Sequence, residues 1–165
     1  MILKAVLCGI VFCLFSSMAH SKSLAGSYLA GSNAAMRGDY VAASKYFANT
    51  LILDPENNFI KYNAMLSTLS MGDVNTAIKY AKEITLNNNN HLADLLIFID
   101  YIKNERFVLA SNLLKKNKEN YTKLLFGLLN GWTDLGRGKM SSVLKTFDEM
   151  DGNTTSKLLG QYHKA

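Results

Sequence analysis

The chain has 165 residues, with 18 Lys and Arg against 13 Asp and Glu, a formal net charge of +5, and two cysteines. That length is one ordinary domain. The basic surplus is small and spread out, its densest run being Lys115, Lys116, Lys118 and Lys123 diluted by Glu119, so a nucleic-acid partner, which needs a concentrated basic face, is excluded.

The first element is a leader. Lys4 precedes an apolar run from Ala5 to Phe15, and the small polar stretch Ser16, Ser17, Met18, Ala19 follows. This is the plan of a secretory signal peptide over residues 1–19, with cleavage after 19, or after 21 if Ala19 and Ser21 set the site. A spanning helix needs about 20 apolar residues, and this run supplies eleven. The rival readings are an uncleaved anchor and a buried first helix. Cys8 and Cys13 lie inside the apolar run, so cleavage leaves an exported chain without thiols, disulfides or cysteine metal ligands. Phe12 stands where a small residue precedes the lipid-bearing cysteine of a bacterial lipoprotein. No stable membrane span is expected in the mature chain.

Four segments then keep time. They open at Gly38-Asp39-Tyr40, Gly72-Asp73-Val74, Glu105-Arg106-Phe107 and Gly138-Lys139-Met140, and a small residue follows in each at Ala43, Ala77, Ala110 and Val143, in steps of 34, 33 and 33. A fixed period of this size is the mark of a helical repeat. Before each opening lies a stretch with apolar residues three and four apart, Leu24 to Arg37, Phe59 to Met71, Leu92 to Asn104 and Tyr121 to Leu135. A second such stretch follows each, ending near Leu53, Leu86, Lys116 and Met150. The period predicts helices throughout. Gly38, Gly72 and Gly138 sit where a left-handed residue closes the first helix, and Asp39 and Asp73 sit where a side chain caps the second. Asp54-Pro55-Glu56-Asn57-Asn58 and Asn87 to Asn90 separate the pairs. The last pattern, Thr154 to Ala165, brings Leu158, Leu159 and Tyr162, which need cover.

These residues resemble the tetratricopeptide repeat family. The resemblance is carried by Gly31, Gly38, Ala43, Phe47 and Pro55 in the first unit, by Gly72, Ala77 and Ala110 in the next two, and by Gly131, Gly138 and Phe147 in the fourth. Units two and three are degenerate, with Glu105 in place of the glycine and large Phe98 and Leu114 where small or aromatic residues are usual. The resemblance implies an all-α fold, a right-handed α–α superhelix of about four helix pairs. Repeats would fill residues 24–151, as 24–57, 58–90, 91–123 and 124–151, and a capping or truncated fifth-repeat helix would fill 152–165. An export leader followed by such repeats looks like periplasmic proteins of alphaproteobacteria, this chain matching the N-terminal portion of a longer member.

In that family the first helices line a concave groove. The resemblance assigns Tyr28, Ser32, Tyr62, Leu66, Leu95, Ile99, Leu128 and Trp132 to it, an apolar and aromatic wall in which only Asn63 is of the type that grips a C-terminal carboxylate. The expected function is a non-catalytic scaffold or adaptor of the periplasm, binding an apolar or helical segment of another exported or envelope protein. The alternatives are a small apolar ligand or lipid, or an enzyme accessory role. His20, His91 and His163 lack metal-ligand spacing, and no nucleophile elbow or phosphate-binding glycine loop occurs, Gly136-Arg137-Gly138 reading as a helix end. No cofactor, metal or catalytic residue is therefore expected. Asp148, Glu149 and Asp151 do not follow a calcium-loop spacing, and the sequons at Asn120 and Asn153 matter only in a eukaryotic secretory pathway.

Overall fold

The computed structural model describes residues 23–87, 90–148 and 154–164. The expected leader, part of the asparagine run, and residues 149–153, which hold the end of the expected fourth unit and the start of the expected last segment, lie outside them. The described chain is all helix and turn. In order come α1 (Leu24–Met36), α2 (Tyr40–Leu53), α3 (Asn58–Ser70), α4 (Val74–Asn87), α5 (His91–Lys103), α6 (Phe107–Lys116), α7 (Lys123–Gly136), α8 (Met140–Asp148) and α9 (Thr154–Lys164), with one 3-10 turn at Lys118–Asn120. Each helix packs chiefly on its neighbours in the chain.

Short polar side chains start the helices. Ser23, Asp39, Asn57, Asp73, Asn90 and Thr122 each accept a hydrogen bond from the backbone N–H three residues on, satisfying a donor that the first turn leaves orphaned. The first helix of each pair ends the same way four times. Gly38, Gly72, Glu105 and Gly138 all take positive φ, at 75°, 89°, 57° and 73°. Their N–H groups donate to Ala35, Leu69, Ile102 and Leu135, while the next N–H donates to Ala34, Thr68, Tyr101 and Asp134. That double bond is a Schellman closure, and Glu105 adopts it without the glycine that relieves the strain.

Ala43, Ala77 and Ala110 have no exposed surface and Val143 has 4%, so the 34-33-33 register marks the core. The same register governs a pair of positions that face each other between the two helices of a unit, 31 with 47, 65 with 81, 98 with 114 and 131 with 147. In the outer units a glycine meets an aromatic ring: a Cβ on Gly31 would lie 3.0 Å from Phe47, and one on Gly131 would overlap Phe147. In the second unit the sizes are exchanged, Met65 standing over Ala81 within one core cluster. In the third, Phe98 and Leu114 share another. All four solutions bury both members, which close packing demands of any helix pair. The large Phe98 is thus part of the packing scheme.

Units two and three also carry a charged pair at one register position. Lys61 is 6% exposed on α3, with Nζ 3.6 Å from Glu83 Oε2 on α4 and 3.7 Å from Glu56 Oε2. Thirty-three residues later the polarity is reversed, buried Asp94 on α5 being attracted by Lys116 on α6.

Candidate interaction surface

The eight residues expected to line a groove fall on two repeat positions of the first helices, Tyr28, Tyr62, Leu95 and Leu128 on one, Ser32, Leu66, Ile99 and Trp132 on the other. The first row is half-buried. Tyr28 tilts against Phe47 with ring centres 6.1 Å apart and against exposed Phe59 at 6.0 Å; Tyr62, Leu95 and Leu128 pack on the edges of successive core clusters. The second row is more open towards its end, with Ile99 46% and Trp132 47% exposed. Asn63 donates from Nδ2 to the Phe59 carbonyl at 2.8 Å, a bond within its own helix.

Trp132 has a neighbour from α9. His163 meets its indole edge-on at 5.6 Å and also lies 5.8 Å from the Phe147 ring. The C-terminal helix thus leans on the fourth unit through this histidine, and Leu158 and Tyr162 of the same helix stay exposed. Phe59 was absent from the expected groove; its register equivalent in the next unit, Leu92, is half-buried against a core cluster.

At the opposite end, α1 and α2 present Leu29 and exposed Tyr46 around a hollow of about 520 Å³. In the following units the positions equivalent to Tyr46 are Tyr80 and Leu113, and these pack on the preceding core clusters. Leu29 and Tyr46 are therefore the seat that a neighbouring unit fills elsewhere in the chain.

Polar groups inside the helices are mostly self-satisfied. Thr50, Thr68 and Thr133 donate to carbonyls three or four residues back, and Asp134 accepts from Ser142 at 2.8 Å and from Arg137 at 3.4 Å. Asp94 differs. Its Oδ2 has no hydrogen-bond partner among the described residues, and burial pushes its carboxyl above the usual 3.8, against the attraction of Lys116 and His91. Burial also raises the Tyr121 hydroxyl, and the charge of Asp94 adds to it.

Among the described residues no three His, Cys, Asp or Glu side chains gather as metal ligands, and no helix is long and apolar enough to cross a membrane. A scan of protein-family models and a search of curated proteins each return no match to this chain.

Proposed function

We propose that this protein is an exported tetratricopeptide-type scaffold of the periplasm, its helix pairs stacked as a right-handed superhelix that holds an apolar or helical segment of another envelope protein. The observation that carries the reading is the row at register positions 32, 66, 99 and 132, where Ile99 and Trp132 remain about half exposed although the adjacent row, Gly31, Met65, Phe98 and Gly131, is buried throughout. Large apolar side chains held half-open on rigid helices are the anchors that helix-in-groove recognition uses, and Trp is enriched among binding hot spots. The leader supplies the route to the periplasm.

A displayed library of amphipathic helical peptides tests it. Selected binders should lose at least tenfold in affinity to Ile99→Asp and to Trp132→Asp, with unfolding midpoints of both variants close to wild type. Binders indifferent to both substitutions refute the groove. A lipid or other small apolar molecule found with the purified protein by native mass spectrometry, and displaced by the selected peptides, would assign the same row to a carrier instead.

A further inference from the structure

Units one and two begin their second helices with an acid, Asp39 and Asp73, each capping a backbone N–H. Units three and four place cations at the same register, Arg106 and Lys139. Neither side chain is able to accept a hydrogen bond, α6 has no side-chain cap, and a positive charge at the positive end of a helix is unfavourable. Both cations border one hollow of about 510 Å³, between the α5–α6 turn and the α7–α8 turn. Its apolar wall is Phe107, Val108 and Leu109. Phe107 lies so close on Gly136 that a Cβ there would overlap its ring, which fixes the wall to α7, while Val108 and Leu109 are 59% and 46% exposed.

The charges around the hollow do not cancel. Arg137 lies on its border, held by Asp134 at 3.4 Å and by Ser111 at 3.3 Å, and its charge is met by that carboxylate. Arg106 and Lys139 form no ion pair among the described residues, and Glu105 is the only acid on the lining. One positive charge is left over beside an apolar wall.

We propose that this hollow is a binding site, separate from the groove, for an amphiphile with one anionic head and a short apolar stem, such as a medium-chain carboxylate. The head lies between Arg106 and Lys139, where it relieves the repulsion of both cations with the helix ends, and the stem covers Val108 and Leu109. The size falls within the usual range of ligand clefts. Electrostatic strain gathered at one hollow, when the other units cap the same position with an acid, is what distinguishes it from an ordinary basic surface.

The test uses the full chain with monomeric decanoate, 1-decanol and inorganic phosphate as probes, followed by calorimetry and thermal melting. Decanoate should bind with one-to-one stoichiometry and raise the melting temperature, as any ligand selective for the folded state does; decanol and phosphate should each bind at least tenfold more weakly. The variant Arg106→Asp with Lys139→Asp copies the caps of the first two units, so it should melt higher than wild type without ligand and bind decanoate at least tenfold more weakly. Equal binding of decanol, equal binding of phosphate, no binding of decanoate, or undiminished binding by a well-folded double variant would each overturn the proposal.

Discussion

The exchange of sizes between units makes a sharp prediction. Gly131→Met together with Phe147→Ala would transplant into the fourth unit the arrangement of Met65 over Ala81. Phe147→Ala alone opens a cavity where a 5%-exposed ring stood, and truncations of this kind cost about 3–5 kcal/mol. Gly131→Met alone drives a side chain into space the Phe147 ring already occupies, an overpacking worth about 1–3 kcal/mol, of which better helix propensity returns less than about 1 kcal/mol. Acting independently, the two would sum to roughly 3–7 kcal/mol. If they face each other as described, the incoming methionine fills the cavity and the ring no longer blocks it, so the double variant should fall well short of that sum, with a coupling of about 2 kcal/mol. Urea unfolding followed by circular dichroism and by the fluorescence of neighbouring Trp132 measures all four corners of the cycle. Additivity within about 0.5 kcal/mol would refute the facing pair, and with it the shared register of the four units.

Glu105→Gly should stabilise the protein by about 0.5–1 kcal/mol, the relief of a left-handed non-glycine residue at about 1–2 kcal/mol less the freedom glycine adds to the unfolded chain; a fall in the unfolding midpoint would contradict the Schellman closure at this site. Asp94 gives a pH signature. Because burial raises its carboxyl in the folded protein, the fold holds this proton more tightly than the unfolded chain does, so its stabilising contribution is full below 3.8 and is lost as pH rises through the elevated folded value. Asp94→Asn should therefore gain in urea midpoint relative to wild type between pH 4 and pH 7; a difference that stays constant with pH would show that this carboxyl titrates as it does in the unfolded chain.

Much of the fold was legible because helix pairs write their packing into the sequence at a fixed interval. Ala43, Ala77, Ala110 and Val143 were readable as the contact row because small side chains at one spacing have few other uses, and the structure buries all four. Gly38, Gly72 and Gly138 marked helix ends by their type, and their φ angles agree. Glu105 was read as a departure from that pattern; the backbone makes the same closure there because the hydrogen bonds from Glu105 and Arg106 outweigh the strain of one residue. Phe98 and Leu114 looked irregular one position at a time. Their sense lies in pairs sixteen residues apart, and volume complementarity is invisible to a reading that compares each column with a signature. The cations at Arg106 and Lys139 were visible in the aligned openings, but only the hollow between their turns gives them a shared address. The Trp132–His163 contact was beyond sequence reasoning, since it depends on where α9 comes to rest.

The reversed polarity of the two pairs, each with one buried and one exposed member, has a consequence for assembly. Look-alike modules on one chain risk joining the wrong mates while the polypeptide collapses. Were α3 to pair with α6, Lys61 would confront Lys116; were α5 to pair with α4, Asp94 would confront Glu83. Each mismatch sets a buried charge against an exposed one of the same sign, where the native pairing sets it against an opposite one. Opposite signs at matching positions thus act as address labels, sending each second helix home to its own partner.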